Sequence, residues 1–481
     1  MLASVALGLS LLIQVDRAFQ SEIDAAIDAG VAYLRESEDS LASAPHATAY
    51  RGGTECLVFY TLLMSGVAKD DPYVARLEPI VLATARESEQ TYTLALATLG
   101  LLAHDSKRHA TTIAGLVARL EAGQRKGDQR GSGCYGYMLL RERTGDGTKS
   151  ATKKSTQLAH WDAPSNWWDN SNTQYAILAL RSAVDHGFAV DSKVFERSAR
   201  HFLRQKRPDG GAAYSDSIRE RSYLSMTAGV FGSLQMCVDA LERTETDDAK
   251  ELRASSERAI ERATKWLEEN LRFPPDGSNW PFYALYAVER FGHHVDSTTF
   301  GKRDWYAEGA RFLVDVQLED GAFATASLVP SRPRGALPRG RGLLGKKNRV
   351  LPNAPRAVTG DVVDTCFALL FLKRASFVHT QTSDEITILL RGVDPQARHA
   401  DLDRIEHRIL AVGKYAVEQL VLGLSLDNAA AFQLADRCLH DITGEDMGFT
   451  PLASADERRA IRDRWRRWLL EHPEFRSGAG S

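Results

Sequence analysis

The chain has 481 residues, enough for one large repeat domain or several ordinary ones, and its 43% hydrophobic and 26% charged content is that of a folded protein. A net charge of -3 argues against the electrostatic footprint of a nucleic-acid binder, so no nucleic-acid partner is expected. Five cysteines, at positions 56, 134, 237, 366 and 438, are far apart with no Cys-x-x-Cys, which argues against a disulfide framework and a multi-cysteine zinc site.

Residues 1–15 contain an apolar run, Leu2 to Ile13, that is too short to span a membrane and has the length of a signal-peptide core. The basic flank and a clear cleavage site are missing. The run therefore reads either as an export signal, placing the protein in the periplasm or at a membrane, or as a short packed helix of a cytoplasmic protein.

From residue 16 to about 380 two kinds of helix alternate. Ile23–Glu36, Tyr73–Glu87, His109–Gln124, Lys193–Gln205, Glu251–Asn270 and Asp304–Gln317 carry one apolar stripe and one charged face. Cys56–Met64, Tyr92–Leu102, Tyr175–Leu180, Met226–Val238, Phe282–Val288 and Cys366–Leu372 are apolar almost all round and must be covered on every side. The expected fold is all-α: an α6/α6 toroid, with six inner helices ringed by six outer ones. An open solenoid is the alternative. The joints repeat as well. Gln205-Lys-Arg-Pro-Asp-Gly-Gly-Ala-Ala-Tyr214 and Gln317-Leu-Glu-Asp-Gly-Ala-Phe323 each close an outer helix and turn on Asp-Gly, and a looser copy runs from Gln124 to Cys134-Tyr-Gly-Tyr137.

Two insertions, 139–166 and 327–360, read as loops. The second holds Arg332, Arg334, Arg339, Arg341, Lys346, Lys347, Arg349 and Arg356 without an acid. It is either a solvated loop or a contact for a diphosphate, an anionic lipid surface or an acidic polymer. Residues 385–475 form a helical tail, Leu402–Leu424, Asn428–Thr443 and Ala455–Glu471, whose pairing is HEAT-like and offers a surface to a protein partner.

Aromatic and polar residues gather at the starts of the inner helices. Trp168, Asp169, Asn172, Tyr175, Tyr223, Trp280 and Tyr283 form the expected ligand-binding set, with Tyr92, Trp167, Gln174 and Tyr286 beside them. If the ring closes they meet at one mouth, where aromatic faces suit isoprenoid chains or sugar rings; packing between helices is the other reading. At the sixth inner helix, Asp361-Val-Val-Asp364-Thr-Cys366 offers a cap from either aspartate and a buried thiol.

The Gln-x-x-Asp-Gly-x-aromatic turns, the Ser225-Met-Thr-Ala-Gly229 segment and the Asp364-Thr-Cys-Phe-Ala-Leu-Leu-Phe-Leu372 helix resemble the squalene-cyclase and prenyltransferase repeat superfamily, over about residues 20–376. The resemblance implies a toroid with a central cavity. It puts Asp361 and Asp364, as candidate catalytic residues, on the outer two acids of the cyclase Asp-x-Asp-Asp-Thr motif, and Val363 on the central acid that protonates the polyene. Valine cannot donate a proton. The same stretch matches the Asp-x-Cys zinc ligands of protein prenyltransferase β subunits, giving Asp364 and Cys366 as candidate zinc ligands, with no matching histidine. The expectation is a binding protein without a cofactor, holding a lipophilic or polymeric ligand in its central cavity. The alternatives are a divergent isoprenoid cyclase or zinc-dependent transferase using Asp364 and Cys366, and a carbohydrate-active toroid using Asp169, Asn172, Tyr175 and Asp364.

Overall fold

The computed structural model describes residues 17–39, 52–126, 132–139, 168–217, 220–241, 246–275, 280–295, 297–328 and 358–374, then 416–424, 428–450 and 453–472 of the tail with isolated positions around them. The apolar N-terminal run, the basic 332–356 loop, Trp167 and almost all of the 139–166 insertion lie outside the described residues.

The described chain is overwhelmingly helical, with one two-residue hairpin, β1 (Thr299–Phe300) and β2 (Arg303–Asp304). The amphipathic segments form α1 (Arg17–Glu36), α3 (Pro72–Glu87), α5 (Ala110–Gly123), α7 (Ser192–Gln205), α9 (Asp247–Asn270) and α11 (Trp305–Val316). The apolar segments form α2 (Gly53–Met64), α4 (Thr91–Asp105), α6 (Asn170–Asp185), α8 (Leu224–Ala240), α10 (Pro281–His294) and, after the short α12 (Thr325–Leu328), α13 (Val358–Leu372). Outer starts are fixed by side-chain caps, with Asp71, Asp191, Thr246 and Asp304 accepting backbone N–H groups of α3, α7, α9 and α11. The apolar helices are buried on nearly all faces, as in α8, where Leu224–Leu234 is buried without a break.

The apolar helices pack in a cyclic order. α2 packs on α4, α4 on α6, α6 on α8, α8 on α10, α10 on α13, and α13 returns to α2. The amphipathic helices lie against this layer: α3 on α2 and α4, α5 on α4 and α6, α7 on α6 and α8, α9 on α8, α11 on α10 and α13, and α1 on α13 and α11. One continuous apolar core runs through all of them. The tail helices α14 (Val417–Gly423), α15 (Ala429–Thr443) and α16 (Ala455–Glu471) have a second core of their own, built around Leu420, Phe432, Leu439 and Trp465.

The repeated turns explain how the layers are joined. In the three turns Gly133, Gly210 and Gly321 take positive φ, a region that disfavours any side chain. Each rests on the backbone of the next outer helix. A Cβ there would lie 2.0 Å from the Arg197 carbonyl oxygen on α7, 3.0 Å from that of Arg262 on α9, and 2.3 Å from that of Ala29 on α1. Two residues on, the backbone N–H donates to a threonine of the next inner helix: Tyr135 to Thr173 Oγ1 (3.0 Å), Ala212 to Thr227 Oγ1 (3.0 Å) and Phe323 to Thr365 Oγ1 (2.9 Å). The turn glutamines add a third tie, Gln124 Nε2 to Val194 O at 2.9 Å and Gln317 Nε2 to Ala26 O at 2.8 Å. The last turn follows the same rule with α1 as the next outer helix, so the final repeat is tied to the first.

Among the described residues no helix is long and apolar enough to cross a membrane.

Gly321→Ala is expected to destabilise by about 2–3 kcal/mol, since the side chain meets both the positive-φ penalty and the Ala29 carbonyl. Gly115→Ala, inside α5 with nothing near its Cβ position, is expected to stabilise by up to about 1 kcal/mol. Urea midpoints followed by circular dichroism separate the two, and equal midpoints contradict the docking of the turn.

Candidate functional site

The side chains inside the cycle of apolar helices are polar and joined to one another. Gln174 on α6 donates through Nε2 to the Tyr283 hydroxyl on α10 at 2.6 Å, and its Oε1 accepts from Arg290 Nη2 on α10 at 2.8 Å. The Ser171 hydroxyl is 2.9 Å from that of Tyr283 and also meets the Tyr92 hydroxyl from α4. Helices α4 and α10 stand opposite each other in the cyclic order, and α6 and α10 are separated by α8. Bonds between them therefore cross the interior. Gly229 on α8 makes room, since a Cβ there would lie 2.1 Å from Gln174 Oε1.

Arg290 is the charged member of this group. It is 2% exposed, and its guanidinium carbon lies 5.0 Å from the Tyr175 ring centre and 4.8 Å from that of Tyr286. The neighbouring Glu289 is fully buried. Two opposite charges enter the core together, and the tyrosine faces replace part of the lost hydration of the cation. Tyr175 packs at a tilt against Tyr92, with 4.6 Å between ring centres, and Phe367 of α13 packs edge-on against Tyr283 at 5.3 Å.

Above this layer, towards the inner-helix starts, three tyrosines gather, and we refer to this end of the inner layer as the tyrosine mouth. The hydroxyls of Tyr137 and Tyr214 are 2.6 Å apart, and both residues, like Tyr223 at the start of α8, are half-buried. Asp169 is buried beneath as the cap of α6. Its Oδ1 accepts from the Asn172 amide at 2.7 Å and its Oδ2 from Asn172 Nδ2 at 2.8 Å. Burial pushes its carboxyl up to about 6 against these hydrogen bonds.

The structure divides the expected ligand-binding set. Tyr175 and Tyr283 join the interior network, with Gln174, Tyr92 and Tyr286. Both carboxylate oxygens of Asp169 are taken by Asn172, whose own buried Oδ1 has no partner among the described residues, and Tyr223 stands at the mouth. Trp168 turns to the outer layer, edge-on against His201 of α7 at 4.8 Å, and Trp280 is 58% exposed at the start of α10. Sequence reasoning missed Ser171, Glu289, Arg290, Tyr137 and Tyr214. The charged pair follows an apolar run but precedes the equally buried Phe291, and that continuity was the available signal.

α13 starts at Val358, so Asp361 stands in its first turn and Asp364 lies further in. Asp364 Oδ2 accepts from the Thr325 amide at 2.7 Å and so anchors the start of α12. Cys366 faces α2, against Thr61, and burial pushes its thiol up to about 12. The pair is aimed at different elements, Asp364 at α12 and Cys366 at α2. Val363, on the position of the cyclase acid, is half-buried.

No protein-family model matches the chain, and searches of curated proteins and of solved structures find no match.

Asp364 is raised to about 6 by burial, with Asp361 acting in the same direction and the Thr325 amide opposing. The folded chain keeps a proton that the unfolded chain releases near pH 4, so this group's contribution to stability falls as pH rises from about 4 to about 6 and is constant above. Asp364→Asn, which retains an acceptor for Thr325, removes the fall. Relative to the wild type it should gain on the order of 2 kcal/mol between about pH 4 and pH 7 in urea titrations; parallel curves contradict the assignment.

Proposed function

We propose that residues 17–374 form an α6/α6 toroid of the squalene-cyclase and prenyltransferase type, serving as a non-catalytic binding protein that takes a polymeric ligand at its tyrosine-lined mouth. The cyclic packing of the apolar helices and the tie from the α11 turn back to α1 support the closed form over the open solenoid.

The observation that carries the functional reading is the Tyr92–Ser171–Tyr283–Gln174–Arg290 chain across the interior. Cyclisation of a polyene needs room for the folded substrate and π faces free to stabilise developing positive charge. Here the faces of Tyr175 and Tyr286 already hold a guanidinium, whose fixed charge opposes a carbocation. Protonating an alkene needs a strong acid, and Asp364 is weakened by burial. Val363 adds no proton at the remaining position.

The mouth has the opposite character. Its phenols present flat apolar faces and hydroxyls together, a pairing that suits the repeating units of a polar polymer such as a polysaccharide. Carbohydrate cleavage is less well supported than binding, since both oxygens of Asp169 are committed to Asn172.

Affinity electrophoresis against dextran, xylan and pectin, beside product analysis with squalene and farnesyl diphosphate, tests the reading. The expected outcome is retardation by a polymer that a Tyr214→Ala/Tyr223→Ala double variant weakens about tenfold, with no isoprenoid product. Retardation by none of the polymers, or an isoprenoid product whose formation Asp364→Asn abolishes, contradicts it.

A further inference from the structure

Glu78 on α3, His104 in the last turn of α4 and His109 at the start of α5 converge at the end of α4 remote from the tyrosine mouth. Their ligand atoms all lie within 4.8 Å of one another. His104 Nδ1 is 2.9 Å from His109 Nε2, and His109 Nε2 is 3.6 Å from Glu78 Oε1. Tetrahedral zinc with bonds of about 2.0–2.1 Å has ligand–ligand separations of roughly 3.3–3.4 Å. These two distances bracket that value and the third pair lies within 4.8 Å, so side-chain shifts on the order of 1 Å admit the ion.

The surroundings fit a ligand set. His104 Nε2 faces the Lys69 carbonyl at 3.3 Å. A carbonyl only accepts, so the proton belongs on Nε2 and the Nδ1 lone pair is turned to the cluster, the arrangement typical of metal-bound histidines. The turn between the histidines is set by Asp105, whose carboxylate accepts from the backbone N–H groups of Lys107 (3.1 Å) and Arg108 (2.9 Å). Both imidazoles are buried. The Glu78 carboxylate is beyond hydrogen-bond range of His109, and its close partner is the Arg108 guanidinium at 2.8 Å, on a side chain 60% exposed and free to swing into solvent.

We propose that Glu78, His104 and His109 form a zinc site that clamps α3, α4 and α5, with the fourth position open to water or a small polar ligand. This site is separate from the Asp364–Cys366 stretch and independent of what the mouth binds. Two imidazoles and one carboxylate are a suitable donor set for this ion, and Arg108 competes with it for Glu78.

The test uses the full chain, stripped with EDTA and dialysed, titrated with zinc by calorimetry and with cobalt(II) by visible absorption. The expected result is one equivalent of zinc per chain, the intense d–d bands of a four- or five-coordinate cobalt site, and a zinc-dependent rise in Tm. His109→Gln and Glu78→Gln should each weaken zinc binding by about tenfold or more. Arg108→Gln should tighten it, an effect that a purely structural histidine pair would not show. Glu78 and Arg108 are reached from the surface, so their variants keep the test readable if His109→Gln misfolds. Failure to retain zinc, or zinc binding unchanged in both Glu78→Gln and Arg108→Gln, overturns the proposal.

Discussion

The fold depends on the seating of each turn glycine on the backbone of the next outer helix. At Gly133 and Gly321 the contact leaves no space for a methyl group, at Gly210 it is tight, and in all three the amide two residues later is held by a threonine of the inner layer. One turn therefore sets three things: the end of its outer helix, the approach of the following outer helix, and the depth of the following inner helix. Because Gly321 meets Ala29 and Gln317 reaches Ala26, the same geometry applied to the last repeat returns to the first. An ion pair between Arg311 and Glu22, with the guanidinium over the Phe19 ring, lies on the same seam.

Closing apolar helices on one another brings their inward faces together, and those faces are not purely apolar. Gln174, Ser171 and four tyrosines meet there, and a buried arginine is sandwiched between two rings. Leaving Arg290 without Gln174 or its tyrosines would be costly, because a buried charge without partners has no substitute for water. This network gives the interior a fixed register and sets the Arg290 guanidinium over the Tyr175 and Tyr286 faces. The threonine of the Asp364-Thr365 pair has a structural task in the turn, and Asp364 anchors α12.

The layers were readable from the chain because burial leaves a periodic trace. Unbroken apolar runs such as Cys56–Met64 marked inner helices, and striped, charged segments marked outer ones. The all-α reading rests on that. The interior is harder to read for the same reason: Asn170–Gln174, Glu289 and Arg290 are polar or charged and buried, so they lie outside the apolar runs that mark the inner helices. Trp168 lies just before the cap of α6 and packs on the outer layer, whereas Asn172, four residues on, bonds to that cap. Glu78, His104 and His109 span three helices without a compact motif, so only the packing of α3 against α4 and α5 brings them together.

Closure of the two layers is the claim on which the toroid and its mouth rest, and α1 against α11 is where it is most exposed to test. In an Arg311→Lys variant, a zero-length carbodiimide acts only on a carboxylate and an amine already in contact. Mass spectrometry of the digested monomer should then show an isopeptide joining positions 22 and 311, nearly the full length of the repeat region apart in sequence. Cross-links confined to neighbouring repeats, with none between α1 and α11, would contradict a closed ring and leave an open solenoid.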